Sequence, residues 1–152
     1  MSLEAFEIEA YSVAHGHSAT GPITRITVEG QGEVSGQDTW AQLLFHPSAA
    51  GLSGTVDNVG VGGATLQIFA DLPYDDFARM YNILRNEAPV RLWCEYGASA
   101  TTSKPLNYIG ITSNSKEKPG EGPADIDSVQ RFIHFAIKSQ PQSESTAKQP
   151  GD

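Results

Sequence analysis

The stretch that decides the fold is PYDDFARMYNILRN, residues 73–86. Its apolar side chains recur at intervals of three and four residues, while charged and amide side chains take the remaining arc; the apolar stripe is Phe77, Met80, Tyr81 and Leu84. Burying such side chains stabilises by roughly 1.5–3 kcal/mol each, against about 0.7 kcal/mol or less per residue for differences in helix propensity. The pattern predicts an amphipathic helix over 73–86 that packs against a sheet.

Short alternating segments, separated by Gly, Pro, Asn and Asp, lie on both sides of this helix and indicate strands. The predicted strands are 5–14, 23–29, 39–46 (a central strand), 55–59, 64–71, 90–97, 106–113 and 129–138. We therefore predict a mainly β (α+β) fold: a strongly bent antiparallel sheet or partly open β-barrel of seven to eight strands, with the one helix on a face or end. An OB-like barrel is an alternative, although its helix would follow the third strand, and here at least one more strand precedes the helix.

The length of 152 residues fits one domain, which we predict over 1–138. Residues 139–152 contain no large apolar side chain, so a disordered polar tail is expected. Residues 114–127 are rich in Pro, Gly and charge and are predicted to form a long loop.

The net charge and the cysteine content limit which binding partners and which cellular compartment we expect. Ten basic against eighteen acidic residues give a net charge of −8, which disfavours nucleic acid and anionic membranes as partners. The N-terminus is acidic where a signal peptide would be basic, and no apolar run approaches the roughly 20 residues of a membrane span. The single Cys94 forms no internal disulfide, so we expect a cytoplasmic protein.

Two closely spaced histidines are the candidate for a metal site. His15 and His17 project the same way from an extended chain and supply two ligands. A third ligand would have to come from elsewhere, such as His46 or His134, and the spacing selects neither. The prediction is therefore that the chain holds no metal and no cofactor.

Other chemical motifs favour ordinary structural roles. Residues 60–63 are glycine-rich but precede a strand, which favours a hairpin turn over a phosphate loop. Asp75 and Asp76 suit the first turn of a helix electrostatically. Cys94 alternates in phase with Leu92 and is expected to face the core without reactivity.

A hairpin formed by residues 90–97 and 106–113 gives a sharper hypothesis. If it is centred on Thr101, Trp93 lies opposite Ile109, and one face combines an apolar centre with a polar rim. That predicted interaction patch consists of Trp93, Ile109, Ile111, Arg91, Glu95 and Asn107. The alternative is that the helix or a second sheet covers Trp93.

These observations favour a non-catalytic binding or assembly module that binds a protein partner or self-associates through the mixed sheet face. The alternative is a small β-barrel enzyme, or a protein that binds a small ligand, whose cavity is lined by Arg91, Glu95, His46 and His134.

Overall fold

The computed structural model of the protein describes residues 2–98, 103–113 and 126–138. These residues form eight strands and two α-helices. The strands are β1 (Ser2–Glu7), β2 (Ala10–Ser18), β3 (Gly21–Gln31), β4 (Asp38–His46), β5 (Ser53–Val59), β6 (Thr65–Pro73), β7 (Val90–Tyr96) and β8 (Ser103–Ser113). A 3-10 turn (Val61–Gly63) precedes β6, and the helices are α1 (Asp76–Asn86) and α2 (Ile126–Lys138).

The strands form one sheet in the order β1-β7-β8-β5-β6-β4-β3-β2. All neighbours are antiparallel except β4 and β6, which run parallel, so the sheet is mixed and not wholly antiparallel as predicted. The mainly β fold and the strong bend are confirmed, and β4 lies centrally as expected. The sheet curls into a half-barrel because β1 returns to the end of β3, where Phe6 bridges Gly32.

Two glycines allow β1 to approach β3 closely. A Cβ atom at Gly30 would collide with the Glu7 carbonyl oxygen and the Phe6 ring. A Cβ atom at Gly32 would lie 2.8 Å from the carboxyl carbon of Glu4. Larger residues at these positions would therefore push the two strands apart and open the half-barrel.

The inner face of the curled sheet carries the main core, and α1 packs against it. Leu84 of α1 is buried, and the Phe77 ring meets the Phe45 ring edge-on with centroids 5.5 Å apart. Tyr81 stacks on Phe77, and Met80 also packs on this core, which confirms the predicted apolar stripe. Strand β6 ends at Pro73, which pairs with His46, and the helix begins three residues later at Asp76.

The predicted strand 5–14 is wrong: the chain forms two strands that belong to opposite ends of the sheet. β1 pairs with β7, whereas β2 pairs with β3. The crossing occurs at Ile8, whose N–H donates to the Val90 carbonyl, and Glu9, whose N–H donates to the Glu29 carbonyl. Apolar alternation continues through the crossing, so the sequence pattern does not reveal it.

The predicted last strand, 129–138, is also wrong, since these residues belong to helix α2. Ile133 and Ile137, four residues apart, lie on the helix face that packs against Trp93. Helix α2 packs on Ala5 of β1 and Trp93 of β7, and the described residues therefore contain two α-helices where one was predicted. The tail 139–152 and most of the predicted loop 114–127 lie outside the described residues.

In the described part of the chain, no helix is long and apolar enough to cross a membrane.

Candidate functional site

The six residues of the predicted interaction patch do not share one face. Trp93 pairs with Gly110 and Cys94 with Ile109, one position away from the predicted register. A β-bulge after Glu95 leaves Asn107 as the extra residue on β8, which shifts the pairing. Because side chains alternate along a strand, this shift places Ile109 on the inner face, opposite to Trp93.

Trp93 is covered, as the alternative interpretation of the hairpin held, but by α2. Its side chain is 2% exposed and packs with Ala5 and Ile133. The indole N–H donates a hydrogen bond to the Thr112 hydroxyl at 2.9 Å. Trp93 therefore anchors α2 on the sheet and offers no exposed surface to a partner.

Of the four residues predicted to line a cavity, two come together. Glu95 and His134 line a cavity of about 80 Å³, together with Ser2, Leu3 and Gln130. The other two are held elsewhere by carboxylates: Arg91 Nε donates to Glu33 at 2.6 Å, and His46 Nε2 lies 3.0 Å from Asp71 Oδ1.

The Glu95 cavity is small and contains a buried carboxylate. Glu95 is buried, and its two carboxylate oxygens have no hydrogen-bond partner among the described residues. Ligand pockets usually enclose roughly 300–1,000 Å³, so about 80 Å³ fits a few water molecules and not a typical substrate.

Cys94 is buried on the inner face, as predicted, and burial together with the nearby Glu4 carboxylate raises the pKa of its thiol to about 12. A thiol of that pKa is almost wholly protonated at neutral pH and is a poor nucleophile. Within residues 2–98, 103–113 and 126–138, no group of three or more His, Cys, Asp and Glu side chains is placed to hold a metal ion.

Strand β2 is the most distinctive surface of the molecule. All nine of its residues, AYSVAHGHS, are exposed, and none of them is Asp, Glu, Lys or Arg. It pairs with β3 on one side only, and no described strand pairs with its other side. β2 is therefore a free edge with a row of backbone N–H and C=O groups available for pairing.

The other edge of the sheet is closed. The N–H of Glu33 donates to the Ala5 carbonyl at 2.7 Å, and the carboxylate of Glu4 accepts backbone N–H groups from Val34 and Ser35 at 3.0 Å. The turn between β3 and β4 thus covers β1. Of the two edges, β2 is the one that remains open in the part of the chain that the structure describes.

Apolar side chains of β2 extend the inner face beyond the core. Tyr11 lies opposite Val28, and Val13 lies opposite Ile26, both of which are fully buried. Tyr11 and Val13 are nevertheless 44% and 40% exposed. The apolar inner surface therefore continues to the free edge without a cover.

His15 and His17 lie on this same face of β2, opposite Thr24 and Pro22. Their ring centroids are 5.4 Å apart, and His15 Nδ1 lies 2.8 Å from the Thr24 hydroxyl oxygen. The two histidines are thus neighbours, as the sequence predicted, but they lie within a strand and not after its end.

β2 was not predicted as a site because the predicted strand ended at Ala14, whereas β2 continues to Ser18. The signal was present: the fifteen residues 10–24, which include all of β2, contain no Asp, Glu, Lys or Arg, although Glu7 and Glu9 come directly before them. Long edge strands usually carry a charge or a proline that prevents pairing, so an uncharged run on an edge deserves a functional interpretation.

Comparison with protein-family models, with curated proteins and with solved structures found no match to this chain.

Proposed function

We propose that this protein is a non-catalytic assembly module whose copies associate by pairing β2 with β2 of a second copy. The observation that carries the proposal is the nine-residue, uncharged edge strand, every residue of which is exposed. Addition of a strand to such an edge gains main-chain hydrogen bonds, and exposed apolar side chains on the same face add burial. Antiparallel pairing of identical strands creates a two-fold axis, which is the commonest symmetry of soluble oligomers.

A second copy is the partner that fits this edge best. The protein carries a net charge of −8, so most surfaces of two copies repel each other. β2 has no charged residue, and pairing there brings no like charges into direct opposition.

The chemistry-bearing side chains support a non-catalytic role. His46 and Arg91 are each held by a carboxylate, and the Cys94 thiol is buried. We also propose a cytoplasmic location, which is supported by a single cysteine that requires no oxidising compartment.

The test is the molar mass of tag-free protein in EDTA, measured by light scattering over a broad range of concentration. We expect a dimer at high concentration. Val13→Lys places a charge on the pairing edge and should raise the dimer dissociation constant at least tenfold, equivalent to about 1.4 kcal/mol. The matched control is Val61→Lys, at a position that is 97% exposed and outside the strands.

Equal association of Val13→Lys and Val61→Lys would contradict pairing through β2. A thermal melt checks that both variants are folded. Both positions are exposed, so we expect neither substitution to unfold the chain.

A further inference from the structure

We propose that His15 and His17 are half of a zinc site that is completed by His15 and His17 of a second copy. This inference rests on the proposed function, because it needs two β2 strands side by side. This motif contributes two imidazoles, no third His, Cys, Asp or Glu among the described residues is grouped with them, and a structural zinc site takes four ligands.

The spacing of the two rings fits one metal ion. With Zn–N distances of about 2.0–2.1 Å and tetrahedral angles, two imidazoles on one ion have ring centroids about 5 Å apart. The observed separation between the His15 and His17 centroids is 5.4 Å. The two rings therefore need little movement to share an ion.

The contact with Thr24 prepares His15 as a ligand. Thr24 is buried, and its hydroxyl oxygen lies 2.8 Å from Nδ1 of the exposed His15. A histidine that binds a metal commonly uses its second ring nitrogen for such a hydrogen bond, which fixes the ring and leaves Nε2 for the ion.

The sequence around Gly16 is symmetric in the way that a two-fold axis requires. Antiparallel pairing centred on Gly16 places His15 of each copy directly opposite His17 of the other. Directly opposite residues have Cβ atoms about 4.5–5.5 Å apart and project to the same face, so four imidazoles converge. A Cβ atom at Gly16 would meet nothing within 4 Å, so the strand is open at the proposed axis.

Four neutral imidazoles in a tetrahedral arrangement suit Zn²⁺. Binding would join two chains per ion without adding any negative charge from the protein. Zinc would then set both the register of β2 pairing and the strength of the assembly.

The experiment compares tag-free protein in EDTA and in ZnCl₂ by sedimentation equilibrium, with zinc stoichiometry from calorimetric titration. We expect one zinc ion per two chains and a dimer dissociation constant at least about tenfold lower in zinc than in EDTA. His17→Ala should abolish the zinc response, whereas His46→Ala, which removes a histidine paired with Asp71, should retain it.

A disulfide test reads the register independently. Gly16→Cys places a thiol on the proposed axis and should give a disulfide-linked dimer under mild oxidation, since directly paired strand residues lie within disulfide range. Ala14→Cys tests pairing about the middle of β2. Preferential linking through position 14 would overturn the zinc site, because His15 would then lie opposite Val13 of the second copy.

The remaining outcomes separate the two proposals. Dimers of equal strength in EDTA and zinc, weakened by Val13→Lys, would overturn the zinc site and leave the assembly proposal standing. One zinc ion bound per monomeric chain would overturn the shared site. Monomers under every condition would overturn both proposals.

Discussion

Glu4 closes the half-barrel, and its replacement by Gln gives the sharpest test of the fold. The side chain is 1% exposed, and its carboxylate accepts three backbone hydrogen bonds of 3.0 Å. Oε1 accepts from Ala5 and Val34, and Oε2 accepts from Ser35. The two bonds from Val34 and Ser35 tie β1 to the turn between β3 and β4.

The cost of Glu4→Gln follows from those bonds. Hydrogen bonds to a charged acceptor contribute about 1.5–3 kcal/mol each, and neutral bonds about 0.5–1.5 kcal/mol. The Gln oxygen retains two weakened bonds, whereas its amide nitrogen cannot accept from Ser35. One lost bond and two weakened ones lower the free energy of unfolding by about 3–5 kcal/mol, a large part of the usual total of about 5–15 kcal/mol.

Urea denaturation followed by tryptophan fluorescence measures this loss, and the melting temperature should fall by at least about 6 °C for a chain of this length. The control is Glu7→Gln, which removes the same charge from an exposed position on the same strand and should change stability by about 0.5 kcal/mol or less. Equal stability of the two variants would refute the clamping role of Glu4.

Two further predictions concern the core. The pKa of the Cys94 thiol rises from 9.0 to about 12 on folding. Between pH 9 and 12 the thiol therefore keeps its proton in the folded state, whereas the unfolded chain loses it. The free energy of unfolding should fall by up to about 1.4 kcal/mol per pH unit over this range. Burial also raises the pKa of Tyr96 and Tyr108, which lowers stability at high pH in the same direction. The contribution of the thiol is therefore the difference between wild type and Cys94→Ala in how the free energy of unfolding depends on pH. Identical slopes for the two proteins would contradict the shift of the thiol pKa. Trp93→Glu should lower the free energy of unfolding by about 4 kcal/mol or more, because it removes a buried ring and inserts a charge beneath α2. Phe132→Glu, at a 58% exposed position of α2, should melt close to wild type, and similar losses in both variants would contradict the docking of α2 through Ile133.

The sequence predicts those elements whose apolar pattern has a single interpretation. Helix α1 is an example, because only a period near 3.6 places Phe77, Met80 and Leu84 on one side. Residues 129–138 contain enough apolar residues to fit either period, and what decides for a helix is the burial of Ile133 against Trp93, a contact distant in sequence. The register in which β7 pairs with β8 depends on a one-residue bulge after Glu95, and no local sequence pattern predicts that bulge.

The candidate site escaped prediction for a related reason. Tyr11 and Val13 alternate like core residues, and the sequence cannot show that they continue an inner face beyond the point where the core ends. The distinction depends on which edge of the sheet is closed. That in turn depends on the return of β1 to β3.

One edge of this sheet is covered and the other is open, and this difference supports assembly through β2. At the β1 edge, Gly30 and Gly32 allow close approach and Glu4 fastens the turn that covers the strand. At the β2 edge, neither charge nor proline prevents pairing over nine residues. An edge strand that has no partner usually carries charged residues or proline, because an unprotected edge strand promotes aggregation. A strand without them is best explained by a regular partner, and a second β2 offers the same neutrality and the histidines that a shared zinc ion needs.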